Sequence, residues 1–276
     1  MANLQREDGR QVYYESYGSG DTAVVLVHGW GMSLRMWDYT LPALTAAGYR
    51  VVALDHRGCG QSDKDFADLG IDAIAGVVQA LVRELGLARV VLNGWSLGGA
   101  VVVAAAAGLG STCSGLVLTC AATPAYLQKP DFPHGGTEEA LAATLEAMAA
   151  DRAAFLMALA EGVCAAEVSP AVTNWMWQIF MDASPMAAQA LAELGPLDQR
   201  AVLASLSVPI LAFVGGMDAV VDPAVCRSVV EFNPGAEVME FPEAGHAPFI
   251  EESGRYNREL LQFLDNHLGS PVKETA

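Results

Sequence analysis

Short, unbroken runs of Val, Leu and Ile recur along the chain: Thr22–His28 (TAVVLVH), Arg50–Asp55 (RVVALD), Arg89–Asn93 (RVVLN), Ser114–Cys120 (SGLVLTC) and Val208–Val214 (VPILAFV). Each has the length of a strand, and none alternates cleanly with polar residues. That is the pattern of parallel strands covered on both faces. Gln11–Tyr17 and Ala236–Phe241 (AEVMEF) are more mixed and predict two further strands. Between the runs the period changes. Ile71–Leu85 (IDAIAGVVQALVREL) places apolar residues at helical spacing and stops at Gly86, and Gly254–Leu268 closes the pattern as an amphipathic helix. Alternating strand and helix predicts an α/β fold, a mostly parallel, doubly wound sheet with helices on both faces.

One region breaks the alternation. From Ala122 to Ser207 no strand pattern appears, and the segment is rich in Ala, Met and Trp ("TEEALAATLEAMAADRAAFLMALAEGV", "SPAVTNWMWQIFMDA"). It reads as a helical cap inserted at the carboxyl edge of the sheet, where open α/β sheets bind ligands. The expected division is a core of residues 1–122 and 208–276 with a cap of residues 123–207. Gly269–Ala276 reads as a frayed tail.

Composition narrows the picture. With 276 residues, 53% of them hydrophobic and 17% charged, the chain can bury a large core without disulfides or metals. The net charge of −17 weighs against nucleic acid or anionic membrane as a partner. Ala100–Gly108 is apolar but too short to span a bilayer, and MANLQREDGR has no apolar signal region. The five cysteines are an odd, widely spaced set with no CxxC pair, which points to buried thiols in a reducing, cytoplasmic compartment and to no zinc site. A homo-oligomer is compatible with all of this.

The candidate chemistry begins at Gly94-Trp95-Ser96-Leu97-Gly98, a G-x-S-x-G placed after a strand and before a helix. Small flanking residues let the backbones pass closely, and the helix N-terminus behind the serine favours developing negative charge. Taken alone, the motif reads equally as a Gly-rich helix start capped by serine. Two later loops shift the balance. "GGMDAVV" puts Asp218 after the strand Val208–Val214, and "EAGHAPF" puts His246 after the strand Ala236–Phe241. Ser96, Asp218 and His246 therefore converge on one sheet edge as nucleophile, acid and base. Asp222, just before Pro223, has the signature of a helix N-cap instead. In "LVHGWG" the backbone N–H of Trp30, with that of Leu97, is positioned to serve as an oxyanion hole. His28 is expected to order that loop, Asp55 and Arg57 to tie loops together, and His56, His134 and His267 to stand aside.

On "HGWG", "DHRGCGQSD", "GWSLGG", "GGMDAVV" and "AGHAPF", in that order, the chain from Tyr13 to Leu268 resembles the α/β-hydrolase fold superfamily. The stretches "ATPAYLQKPDFPHGG", "DRAAFL" and "LDQRAVLASLSVPIL" resemble the cofactor-free haloperoxidase, arylesterase and γ-lactamase group. "HGWG…GWSLGG" with "AGHAPFIEE" is similar to the methyl-ester carboxylesterase of biotin synthesis and to acyl-homoserine lactonases. The resemblance implies catalytic roles for Ser96, Asp218 and His246 and oxyanion roles for Trp30 and Leu97. Two departures matter. Trp95 and Leu97 replace the Phe and Met usual in the haloperoxidase group, which weakens the transfer of perhydrolase activity. The cap offers few cations (Lys129, Arg152, Arg200) to receive an acidic carrier protein.

The expected reaction is acyl transfer to Ser96 from a small, fairly apolar ester or lactone, with no metal or organic cofactor. A serine at this position argues against dehalogenase and epoxide-hydrolase chemistry, which uses an aspartate there. Trp30, Tyr126, Trp175 and Trp177 are candidate walls of an apolar substrate pocket. Hydrolysis of a C–C, amide or γ-lactam bond, or perhydrolysis, would use the same residues. A ligand-sensing receptor that keeps the fold is the reading from another class.

Overall fold

The computed structural model describes residues 2–6 and 9–268, so Gly269–Ala276, expected as a tail, lie outside the described residues. The strands are β1 (Ala2–Gln5), β2 (Gln11–Tyr17), β3 (Thr22–Val27), β4 (Arg50–Leu54), β5 (Arg89–Trp95), β6 (Cys113–Thr119), β7 (Ile210–Gly215) and β8 (Glu237–Phe241). They form one sheet in the order β1-β2-β4-β3-β5-β6-β7-β8. β2 runs antiparallel to both β1 and β4, and every pairing from β4 to β8 is parallel.

The unbroken apolar runs are explained by burial on both faces. In β3, Val25 and Val27 join one core with Ile74, Val78 and Leu81 of α1 (Ile71–Glu84) and with the buried side of α2 (Leu97–Leu109). Val24 and Leu26 join the opposite core, and the helix that closes the chain packs there through Tyr256, Leu260 and Phe263. α2 is enclosed on nearly all sides, which is why its Ala- and Val-rich sequence shows no polar stripe.

The pattern misplaced some boundaries. β1 was not foreseen, because in ANLQ only Leu4 is buried and pairing with β2, not alternation, makes the strand. β7 starts at Ile210, since Pro209 has no N–H for the ladder and contributes only its carbonyl, which accepts from Leu116 at 2.9 Å. β5 runs on through Gly94 and Trp95, so the strand ends directly on Ser96.

Residues 123–207 carry no named strand. Their main helices are α3 (Glu138–Ala150), α4 (Arg152–Gly162) and α5 (Pro170–Asp182), with shorter ones at Ala188–Glu193 and Arg200–Ser205. Asp151 separates α3 from α4 and caps the second, accepting from the N–H of Ala154. Leu141 of α3 packs into the first core, while Leu156 and Phe180 pack into the second. The closing helix is α6 (Ser253–His267). Among the described residues no helix is long and apolar enough to cross a membrane.

Candidate active site

Ser96 joins β5 to α2 with φ 58° and ψ −124°. Among the described residues it is one of two non-glycines with positive φ, the other being Cys120 at φ 43°. Such a conformation costs on the order of 1–3 kcal/mol and persists only where the surroundings over-determine it. Here the backbone is pinned on both sides: the Ser96 N–H donates to Thr119 O at 3.0 Å, and its carbonyl accepts from Gly99 at 2.9 Å and Ala122 at 3.0 Å. The flanking glycines are required by close approach. A Cβ at Gly94 would stand 2.2 Å from Gly98 O, and one at Gly98 would stand 2.4 Å from Val27 O. Ser96 holds the N-cap position of α2, yet its side chain makes no capping bond. The capping reading of the motif therefore falls away, and the hydroxyl is left for the adjoining cavity.

Beneath this turn lies a buried polar trio that sequence reasoning missed. Asn93 Nδ2 donates to Tyr256 Oη at 2.9 Å, and Thr119 Oγ1 bonds both Asn93 Oδ1 (3.1 Å) and Tyr256 Oη (2.8 Å). The trio ties the carboxyl ends of β5 and β6 to α6. Thr119 also accepts the Ser96 N–H through its carbonyl, so the trio and the serine turn share one residue.

Asp218 and His246 meet. His246 Nδ1 lies 2.7 Å from Asp218 Oδ2, and both side chains are buried. The carboxylate can only accept, so Nδ1 carries the proton and Nε2 is left with a lone pair. The other carboxylate oxygen accepts from the N–H groups of Val220 (2.8 Å) and Val221 (3.0 Å), which locks the Asp218 loop. Asp222 does what an N-cap does, accepting from Ala224 N–H at 2.9 Å, and its second oxygen accepts from Gly135 N–H at 3.0 Å.

The His246 loop is held from three directions. Trp95 Nε1 donates to His246 O at 2.7 Å, and the His246 N–H donates to Val163 O at 2.8 Å. Glu251 accepts from Gly245 N–H at 2.9 Å and, from the turn after α4, from Ala165 and Ala166 at 2.8 Å each. Gly245 N–H also reaches the oxygen that takes Ala165 and Ala166, at 3.1 Å, so that oxygen is shared between the imidazole loop and the helical segment. A long-range carboxylate clasp of this kind has no local sequence signal.

The other expectations divide. His28 orders the loop after β3: its Nδ1 donates to Gly29 O (2.7 Å) and its Nε2 accepts from His56 N–H (2.9 Å). Burial drives its pKa down to about 3, so it is a neutral brace. His56 stacks on it at 3.7 Å, and burial above all, with the cost of placing a second charge beside the His28 ring, pushes its pKa down as well. Asp55 ties loops by accepting from Leu34 and Gln61, each at 2.7 Å, while burial lifts its pKa to about 6. Arg57 donates to Asp68 O at 3.2 Å and lies over Phe66. His134, beside Glu231, and His267, beside Phe263, do not line the cavity.

The cavity has a volume of about 340 Å³ and is bounded below by the loops after β3, β5, β6, β7 and β8. Ser96, His246, Trp30, Leu97 and Tyr126 all line it. Trp30 follows Gly29, where an added Cβ would stand 3.1 Å from Ser96 Cβ, so its backbone passes beside the serine. Its indole Nε1 donates to Ala187 O at 2.8 Å, joining that loop to the helical segment. Tyr126 Oη reaches toward Val220 O over a long 3.4 Å. Trp175 is a correction. It lines one surface cleft with Tyr39, whose ring centroid is 6.3 Å away, and another with Gln178 and Ile179, and not the cavity beside Ser96. α5 turns Met176 and Phe180 inward, and a residue one position earlier on a helix points about 100° away. Phe180, which was not singled out, takes the place foreseen for Trp175. Trp177 is also outside the cavity lining, its Nε1 donating to Ala153 O.

The alpha/beta hydrolase fold family model matches residues 22–253. A non-heme haloperoxidase from Rhodococcus erythropolis is 30% identical over 275 residues, covering 96% of this chain and 100% of that protein. A pimeloyl-acyl-carrier-protein methyl ester esterase from Sodalis glossinidius is 29% identical over 260 residues, covering 91% of this chain and 97% of its own length. The solved structure of an esterase from Exiguobacterium antarcticum superposes with a TM-score of 0.90 at 29% identity, covering 95% of this chain and 98% of that one. The sheet order, the strained serine turn and a match over most of its length show that this chain belongs to the α/β-hydrolase fold family.

Proposed function

We propose that the protein is a serine hydrolase that cleaves small, fairly apolar carboxylic esters or lactones through an acyl-enzyme on Ser96. The observation that carries this reading is the buried 2.7 Å bond between His246 Nδ1 and Asp218 Oδ2, on the same cavity as the strained, uncapped Ser96. With Nδ1 committed to the carboxylate, Nε2 is the base that takes the Ser96 proton as Oγ attacks the carbonyl. Asp218 holds the tautomer and stabilises the imidazolium. The backbone N–H groups of Trp30 and Leu97 receive the oxyanion, helped by the N-terminus of α2. The imidazolium protonates the leaving alcohol, and water activated by the same nitrogen then releases the acid. Asp222 caps a helix and takes no part.

The substrate class follows from the walls. Among the described residues no Lys, Arg, Asp or Glu lines the cavity, while Phe155, Leu159, Val163, Phe180, Leu191 and Leu194 do. An uncharged acyl group fits this lining, and an ionised one would be desolvated without a partner. The volume sits at the low end of small-molecule sites, roughly 300–1,000 Å³. We assign the cap role to residues 123–207, which supply all six of those apolar side chains. The five free thiols support the cytoplasmic reading, and the net charge supports a small-molecule partner over nucleic acid or membrane.

Hydrolysis of p-nitrophenyl acetate and butyrate, γ-lactones and acyl amides by the wild type and Ser96→Ala tests the proposal. Ester or lactone turnover lost in Ser96→Ala supports it. Turnover confined to amide or C–C bonds, or tight ligand binding with no turnover, replaces it with the corresponding reading.

A further inference from the structure

Cys120 has no part in the chemistry above, yet it stands against the two groups that carry it. It follows β6 in the left-handed backbone region, at φ 43°. Its Sγ, a carboxylate oxygen of Asp218 and a ring nitrogen of His246 all lie within 4.8 Å of one another, and all three residues are buried. A thiol, a carboxylate and an imidazole from three separate loops make up a donor set of the kind that binds Zn²⁺ and, through the soft sulfur, heavier divalent ions.

We propose that Cys120, Asp218 and His246 form a binding site for a soft divalent cation, Zn²⁺ or Cd²⁺ in class, and that its occupation switches the hydrolase off. The proposal rests on the reading of Asp218 and His246 as the acid and base of the reaction.

The geometry asks for small movements. Bonds of roughly 2.0–2.3 Å at tetrahedral angles place ligand atoms roughly 3.3–3.8 Å apart. The Asp218–His246 pair, now at 2.7 Å, has to open slightly, and Cys120 Sγ, within 4.8 Å of both, has to settle at the same spacing. His246 lines the cavity while Cys120 and Asp218 lie outside its lining, so the imidazole has to swing aside to admit the ion. Protons and charges balance without any redox change. The ion takes the lone pair of Nδ1, and the proton that Nδ1 shared with Asp218 is carried instead on Nε2, leaving the ring neutral. The thiol releases one proton to solvent as the sulfur–metal bond forms. Nε2 then has no lone pair for the Ser96 proton, and the carboxylate no longer faces an N–H.

The test uses the full chain and two probes. Zn²⁺ is titrated against hydrolysis of p-nitrophenyl butyrate, each variant measured relative to its own metal-free rate and then treated with EDTA. Cd²⁺ is titrated while thiolate-to-metal charge-transfer absorption is followed, in the wild type and in Ser96→Ala. The proposal requires reversible inhibition, and one Cd²⁺ per chain with a band that persists in Ser96→Ala and Cys164→Ser. In Cys120→Ser and Cys120→Gly the band should vanish, and inhibition should need at least about tenfold more Zn²⁺, the loss seen when even an outer contact of a metal site is disturbed. Glycine suits the positive φ at this position, so the second variant guards against a folding failure of the first. No Cys120-dependent band, or equal Zn²⁺ sensitivity without Cys120, overturns the metal site. Full activity in Ser96→Ala would overturn the nucleophile reading and leave the Cd²⁺ arm to judge the site by itself.

Discussion

The indole N–H of Trp95 donates to the backbone carbonyl of His246 across 2.7 Å, so the residue before the serine holds the loop that carries the imidazole. The two rings lie 5.2 Å apart, and both residues are buried. One side chain thereby fixes the distance between two loops that are 151 positions apart in sequence.

Trp95→Phe keeps a ring against Phe249 but leaves the His246 carbonyl without its donor. An unsatisfied buried acceptor costs about 1–3 kcal/mol. Because the lost bond acts on the loop of the proposed base, kcat should drop about tenfold or more, with a smaller change in KM from the cavity wall that Trp95 itself forms. Steady-state kinetics separate this from a stability effect, which would lower the melting temperature and leave kcat per folded molecule unchanged.

The two aspartates near the end of β7 should behave differently. Asp218→Asn leaves the imidazole facing an amide and should lower kcat by about 10⁴-fold, the penalty of holding the wrong tautomer. Asp222→Asn keeps one acceptor for the helix start, so activity should persist with a stability loss of at most about 1 kcal/mol. Urea unfolding and kcat measured on both variants check the pair. Equal kcat losses would reverse the assignment.

Gly98→Ala would drive a methyl to within 2.4 Å of Val27 O and 2.5 Å of His28 O. Both obstacles are backbone atoms at the end of β3, so neither can rotate away. The expected result is a loss of at least about 1–3 kcal/mol from overpacking, with activity falling further because Leu97 N–H and Trp30 N–H are pushed apart. Gly76→Ala, on the open side of α1 where an added Cβ meets nothing within 4 Å, is the control. It should be neutral or slightly stabilising.

The placement of Ser96, Asp218 and His246 at one edge of the sheet was legible because the apolar runs fix where strands end, and loops gather at their carboxyl ends. The motif around Ser96 carried information only in that context. What escaped is long-range or rotational. Glu251 reaches back to Gly245 and across to Ala165, and the Asn93–Thr119–Tyr256 trio joins three elements; no local pattern marks either. An aromatic in the cap such as Trp175 marks a candidate wall without fixing which way its helix turns it, and α5 offers Phe180 instead. The grouping of Cys120 with Asp218 and His246 escaped as well, since ligand spacing is informative only when the ligands are close in sequence.

Acid should destabilise the fold. Burial lowers the pKa of His28 to about 3 and pushes that of His56 down, so the unfolded chain binds protons that the folded chain refuses as pH falls below about 6.5. Asp55 acts in the opposite sense. Its pKa, raised to about 6, lets the folded state keep a proton that the unfolded state has lost at lower pH. Two histidines outweigh Asp55, and of the other part-buried carboxylates Asp38 is raised while Glu15 is lowered, so urea midpoints should fall between about pH 6.5 and about pH 4.5. His28→Asn should reduce the slope by roughly one proton. A midpoint independent of pH across that window would show that the buried histidines are accommodated as cations.

The central claim is that Ser96 becomes acylated by a small, uncharged substrate. Acid quench of the protein during turnover of p-nitrophenyl butyrate, followed by peptide mass mapping, reads this directly. The account predicts a butyryl adduct on the peptide bearing Ser96 in the wild type, no adduct in Ser96→Ala, and no ester turnover by that variant. An adduct on a different residue, or undiminished turnover in Ser96→Ala, would contradict it.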